Sequence, residues 1–386
     1  MRILICPDSF KECLSARQVA EHVAAGIRRI VPAAEIKIIP LADGGEGTVS
    51  SLTDATGGRI IKVKVNDPLL HTIDSFFGML GDGKTAIIEM AAASGIELLK
   101  PRERDPWITS TYGTGELIKY ALDEGCRKII VGVGGSATND GGMGAAQALG
   151  IKFFDEKGSE LAQGGGSLGN LTDIDISGLD ERIEKCKIYV ACDVSNPLTG
   201  EKGASKVFGP QKGASAAVAE KLDQYMHHFS GQIKKYLGKE VEYVAGSGAA
   251  GGLGGGMVAF FNAEIRSGFE LISEITDLDQ WIGWADLVIT GEGKMDEQTR
   301  FGKTPYGVAG IAGKQHKPVI AIAGALGRGH EMFYENGFHC IVPVTDKPMD
   351  LDNAIKNAGI LIESSAERIF RLLQLGSTLQ NIRAKK

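Results

Sequence analysis

The chain has 386 residues, 43% of them hydrophobic and 23% charged, and a net charge of −6. That length predicts two domains, each with apolar material for a core, and an acidic balance with no basic block before the last residues argues against nucleic-acid binding as the main role. Six cysteines without a CxxC pair, no apolar run near 18 residues and too few apolar residues before Pro7 for a signal-peptide core predict a cytoplasmic protein with reduced thiols and no membrane contact.

In chain order, Arg2 to Cys6 is a continuous apolar run and reads as a buried parallel strand. Ser15 is a candidate N-cap for a helix whose Val19, Val23, Ile27 and Ile30 recur at helical spacing. A second strand over Ile36 to Leu41 leads through Asp43-Gly-Gly-Glu-Gly47 into a helix from Thr48 to Ala55. This β-α-β-α start is the pattern of an open doubly wound sheet. From Arg59 to Val65 and Thr72 to Leu80 the pattern alternates, which predicts antiparallel strands, and Ala86 to Met90 completes that sheet. A helix over 115–124, a buried strand from Lys128 to Val133 and a helix over 221–237 follow. The β/α rhythm returns with a strand from Ala285 to Thr290, a helix near 305–313, strands at Pro318 to Ile322 and Cys340 to Val344, and an amphipathic stretch over 351–375 ending at Gly376.

These elements predict an α/β fold of two domains. A Rossmann- or flavodoxin-like doubly wound domain over 1–60 plus 280–386 contains both termini, and a mixed α/β domain over 61–279 is inserted in it, with 112–150 open to assignment to the first.

Glycine is the compositional outlier, with 53 residues against a usual share of about 7%. The glycines cluster in loops, where they permit close backbone approach to a ligand. Gly78 to Thr85 matches the P-loop pattern, but an apolar strand-like run follows instead of a helix, so Gly81-Asp-Gly83 reads as a hairpin turn. The loop from Asp43 to Thr48 sits after a strand, where its two carboxylates suit a metal, a hydroxyl proton or a helix cap. Gly134 to Gly142 combines glycines, whose amides can converge on an anion, with Ser136, Thr138, Asn139 and Asp140, ahead of a helix starting near Gly144. Asp193, Asn196 and the glycine-flanked Lys212 follow a buried strand, Lys212 being a candidate charge clamp on a transferring phosphoryl group. The run from Gly246 to Gly256 suits a nucleotide cradle or a hinge, and 291–305 again combines acids, lysines and glycines. HExxH, GxSxG and a dinucleotide GxGxxG after the first strand are absent, and the seven histidines are dispersed.

Seven stretches in series resemble the bacterial glycerate kinase family: PDSFK (7–11), LADGGEGT (41–48), GGSATNDGG (134–142), CDVSNPL (192–198), GPQKG (209–213), GAAGGLGGG (248–256) and GEGKMDEQT with GKTP (291–305). The resemblance implies a two-domain α/β enzyme that uses ATP and Mg²⁺ to phosphorylate D-glycerate to 2- or 3-phosphoglycerate. On that basis Asp43 or Asp193 is expected as the base. Lys212 and Lys11 are expected to clamp phosphate or carboxylate, and Asp8, Asn139, Asp140 and Asn196 to bind substrate. Gly135, Ser136, Thr138, Gly251, Gly252 and Gly254 are expected on the nucleotide, and Glu292 and Asp296 on the metal. Phosphoryl transfer needs positioning and charge neutralisation, which glycine loops with interleaved acids and lysines supply. The competing readings are a kinase of a related sugar acid, a hydroxy-acid dehydrogenase, which lacks its fingerprint here, and a non-catalytic metabolite-binding protein.

Overall fold

The computed structural model describes residues 1–42, 44–300 and 303–384. The chain opens as β1 (Arg2–Ile5), α1 (Ala16–Arg28), β2 (Glu35–Ile38) and α2 (Thr48–Thr56), then β3 (Arg59–Asn66), β4 (Thr72–Met79) and β5 (Thr85–Glu89). Next come α3 (Ala91–Ser94), α4 (Tyr112–Asp123), β6 (Lys128–Gly132), α5 (Met143–Ala148), β7 (Lys152–Phe154), β8 (Asp173–Asp175) and β9 (Lys187–Ala191). They are followed by α6 (Ala204–Phe208), α7 (Ala216–Leu237), α8 (Leu253–Phe261), β10 (Glu264–Arg266), α9 (Gly268–Ile275) and α10 (Leu278–Trp284). The chain finishes with β11 (Leu287–Met295), α11 (Thr304–Lys314), β12 (Val319–Leu326), β13 (Cys340–Pro343), α12 (Leu351–Lys356) and α13 (Ala358–Ala384). The result is a mixed α/β fold divided into two compact units, a terminal unit of Met1–Asp43 with Phe269–Lys386 and a central unit of Gly44–Gly268.

The terminal unit holds a five-stranded sheet in the order β13-β12-β11-β1-β2, parallel throughout. Ser15 starts α1 with a reciprocal cap, its hydroxyl accepting from the Gln18 amide while Gln18 accepts from the Ser15 amide. Val19, Val23 and Ile27 of that helix then pack with Ile3 and Ile5 of β1 and with Ile362 and Phe370 of α13. Leu4, on the opposite side of β1, is equally buried, and α10 and α11 pack on β1 and β11. Burial on both faces is why β1 reads as an unbroken apolar run.

The central unit holds a six-stranded mixed sheet in the order β10-β9-β6-β5-β4-β3, with a small β7-β8 pair beside it. The first four strands are parallel, and β4 and β3 are antiparallel additions. The P-loop-like stretch is the turn between β4 and β5. Asp82 accepts from the amides of Lys84 and Thr85, both at 2.9 Å, and Gly83 takes φ +65°. No phosphate site can form there, because an antiparallel strand stands where the helix would be.

Several boundaries differ from expectation. β11 continues from Leu287 to Met295, so Gly291-Glu-Gly-Lys294 lies in a strand and not in a turn. Gly291 answers a close approach: a Cβ there would stand 1.9 Å from the Ile322 carbonyl oxygen. α13 runs through Gly376 to Ala384, α7 starts at Ala216 behind a Ser215 cap, and α4 starts at Tyr112.

Candidate functional site

Because β5, β6 and β9 run parallel, their carboxyl ends share one edge of the central sheet, the position where open α/β sheets receive ligands. The 134–142 turn leaves β6 there. Gly134 and Gly135 are exposed, Ser136 is half-buried, and Ala137 to Asp140 are buried. Gly135 needs its φ of +71°. The chain at Gly44 and Gly45 lies directly against this turn. A Cβ on Gly132 would meet the Gly44 carbonyl oxygen at 2.1 Å, and one on Gly134 would stand 3.3 Å from the Gly45 Cα. A Cβ on Gly44 would be 3.2 Å from that of Ala191, at the end of β9. The exposed turn, the 44–47 segment and the start of 193–196 are thereby gathered at one place, while Asp43 lies outside the described residues.

Most of the carboxylates at this edge already have employment. Glu89, buried at the end of β5, accepts from the Val49 amide at 2.7 Å and from the Gly47 and Thr48 amides, and so caps α2. Burial pushes its pKa up against those amides, and Glu46 adds to the rise. Asp140 is fully enclosed. One oxygen accepts from the amide and hydroxyl of Thr111, both at 2.8 Å, and from the Gly144 amide at 3.2 Å; the other accepts from the Gly142 amide at 3.1 Å. Burial raises its pKa as well. The start of α5, expected to offer its amides to an anion, is therefore occupied by Asp140. Asp193 differs in being exposed, with Oδ1 oriented by the Ser267 hydroxyl at 2.8 Å and the Gly268 amide at 3.1 Å. Asn196, half-buried nearby, donates to the Lys202 carbonyl at 2.7 Å.

Behind the turn, Lys212 is buried and its Nζ donates to the Thr138 carbonyl at 2.7 Å. Asn139 is buried and donates to the Ser205 hydroxyl at 2.9 Å. Gly251, Gly252 and Gly254 are buried too. A Cβ on them would stand 1.9 Å from the Thr138 carbonyl oxygen, 2.9 Å from the Gly141 Cα and 2.5 Å from the Gly246 carbonyl oxygen, respectively. Gly251 and Gly252, just ahead of α8, thus pack closely against the 134–142 turn, and Gly254 packs against the chain at Gly246.

The terminal unit builds a second edge at the ends of β1 and β11. Asp8, nearly buried, accepts from the Ser9 amide at 2.6 Å and from the Thr304 hydroxyl at 3.0 Å. Glu292 accepts from the Thr299 hydroxyl at 2.6 Å and from Lys303 at 3.1 Å. Burial raises the pKa of Glu292, opposed by Thr299 and Lys303. Asp296 pairs with Lys294 at 3.0 Å, and Lys11 is exposed. Glu292 and Asp296, expected on a metal, are each neutralised by a lysine. Among the described residues no group of three or more His, Cys, Asp or Glu could hold a metal ion.

Glu89, Ser205, Ser267 and Thr299 carry no site role in the sequence reading, while Lys303 enters it only as an added positive group of the 291–305 stretch. Glu89 had one visible signal, a carboxylate closing an otherwise apolar strand; the others acquire partners only through the fold.

The glycerate kinase family model matches residues 3–374. A glycerate kinase of Bacillus subtilis (strain 168) is 48% identical over 98% of this chain and 99% of its own. A glycerate 2-kinase of Escherichia coli (strain K12) is 49% identical over 97% of this chain and 99% of its own. A crystal structure of a protein described as a glycerate kinase 2, from Salmonella typhimurium LT2, superposes with a TM-score of 0.91 at 48% identity, covering 98% of this chain and 99% of that one. The chain belongs to the glycerate kinase family.

Proposed function

We propose that this protein is an ATP-dependent kinase that transfers a phosphoryl group to a hydroxyl of D-glycerate, yielding a phosphoglycerate and ADP. The observation that carries this reading is near-half identity to glycerate kinases over essentially whole chains, including one named as a glycerate 2-kinase. The terminal unit, with five parallel strands covered by helices, is read as the Rossmann/flavodoxin-like doubly wound domain bearing both termini. The central unit is the inserted mixed α/β domain.

In this reading Asp193, exposed and oriented by the Ser267 hydroxyl and the Gly268 amide, takes the proton of the attacking hydroxyl. The open Gly134–Ser136 turn receives anionic oxygens on its amides and the Ser136 hydroxyl, and Asn196 takes a substrate hydroxyl. In the terminal unit, Glu292 orients Lys303 and Asp8 orients Thr304, and Lys11 adds a cation. Mg²⁺ enters with ATP, held chiefly by the phosphates. A cytoplasmic location accords with the reduced cysteines, and no helix among the described residues is long and apolar enough to cross a membrane.

The test is ATP consumption by purified protein with Mg²⁺ and D-glycerate, with the product identified by NMR. Stoichiometric ADP and phosphoglycerate are expected, and phosphorus coupling identifies the hydroxyl used. Turnover only with a different sugar acid moves the substrate. Ligand binding without ATP consumption for any sugar acid would sink the kinase reading.

A further inference from the structure

Lys212 closes the Pro210–Lys212 turn in a position where a flanking pair of glycines suggests a surface lysine. It is instead only 1% exposed. Burying an ammonium is strongly unfavourable unless it is paired, and here burial pushes its pKa down to about 7. The partner that the fold supplies is a main-chain carbonyl, that of Thr138, in the middle of the 134–142 turn and 74 positions away in sequence. Ser205, from the same 204–213 segment, accepts from Asn139. Two consecutive residues of the turn are therefore gripped from behind by one segment. Their remaining polar atoms, Thr138 Oγ1 and Asn139 Oδ1, are buried without a hydrogen-bond partner, which in a native protein calls for a ligand or ordered water.

We infer that Lys212 is a positioning residue, holding the 134–142 turn from behind in the shape that receives an anionic oxygen and not itself touching the ligand. The anion is a nucleotide phosphate or the carboxylate of the acid, an identity that rests on the kinase reading. The charged group facing the ammonium is Asp140, already engaged by Thr111, Gly142 and Gly144, while Arg104 meets the adjacent Gly213 through its main-chain carbonyl. An anion seated on the turn favours the protonated lysine behind it. Binding at a pH above 7 must then take up a proton.

The experiment is calorimetric binding to the full-length protein at about pH 8, in two buffers of different ionisation enthalpy. ADP, D-glycerate and inorganic phosphate serve as separate probes. The wild type is expected to take up a proton with the probe that seats on the turn, which also names the source of the anion. Lys212→Gln keeps a donor for the Thr138 carbonyl but loses the charge. It is expected to bind that probe about tenfold more weakly, a loss of about 1.4 kcal/mol, with no proton uptake. Ser205→Ala releases Asn139 alone and weakens the same probe by a smaller factor, which keeps the test decisive if Lys212→Gln does not fold. Absence of proton uptake by the wild type with every probe would overturn the inference. So would a Lys212→Gln protein that retains affinity and uptake, or one that binds normally but loses turnover about a thousandfold, the mark of direct contact with the transferring group. Failure of the wild type to make ADP from ATP and glycerate would remove the kinase reading, yet proton uptake with inorganic phosphate would leave Lys212 in its place.

Discussion

The two units dispose of carboxylate charge in opposite ways at their strand edges. In the central unit the buried acids sit on backbone amides: Glu89 on the start of α2, and Asp140 on Thr111, Gly142 and Gly144. In the terminal unit the acids also engage side chains: Glu292 takes Thr299 and Lys303, Asp8 takes Thr304 beside the Ser9 amide, and Asp296 takes Lys294. Amide capping consumes the acid and rigidifies the loop, leaving the neighbouring glycine turn open for a ligand. Side-chain pairing instead uses the acid to aim a cation or hydroxyl. An acid in a glycine loop is thus no single signal: its chemistry depends on which donors the fold brings to it.

Substitutions separate these roles. The largest effect is expected at Asp193, the exposed acid of the central edge. Asp193→Asn should lower kcat by a factor of about 10² to 10⁴ while urea unfolding stays near wild type; unchanged kcat would remove it as the base. Asp140→Ala should do the reverse, acting on the fold. It strands Thr111, Gly142 and Gly144 donors in a buried site, and a loss of about 3 kcal/mol or more in unfolding free energy is expected. A protein with wild-type stability and lost turnover would instead make Asp140 a direct participant. In the terminal unit, Lys303→Met leaves Glu292 with Thr299 alone. Because Lys303 is about one-third exposed, the stability loss should be modest, about 1–2 kcal/mol. Turnover should fall by about tenfold or more if the cation is aimed at a ligand.

How much of this was legible in the sequence follows from how local each feature is. β1, β6 and β9 could be read because burial on both faces demands unbroken apolar runs. Ser15 and Gln18 announce their helix within four residues, and Asp82 and Gly83 their hairpin. The strand expected to end at Thr290 runs on to Met295, because a glycine forced by a neighbouring strand, as Gly291 is by Ile322 of β12, looks the same in sequence as one that ends a strand. Gly376 is the converse case: a helix-interior glycine with nothing near its Cβ position looks in sequence like a helix stop. The acids and Lys212 are visible as residue types, but some of their partners are distant in sequence: Thr111 lies 29 positions from Asp140, and Thr138 lies 74 from Lys212. No periodicity reports such pairs. Asp140 and Lys212 therefore read from sequence as ligand groups without any sign of their partners in the fold.

The smallest effect is expected at Glu89, where amides are weighed against burial directly. Glu89→Gln keeps the shape of the α2 cap but not its charge, and a loss of about 1 kcal/mol at neutral pH is expected. The pH dependence carries the argument. Burial holds the folded pKa of Glu89 above its unfolded value, so between the two the folded state binds more protons. The stability advantage of wild type over Glu89→Gln should then grow as pH falls through that window and level off below the ordinary glutamate range. If the advantage instead shrank on acidification, the amides of Gly47, Thr48 and Val49 would outweigh burial. Glu89 would then be a charged cap, and the central edge would hold its carboxylates by charge just as the terminal edge does.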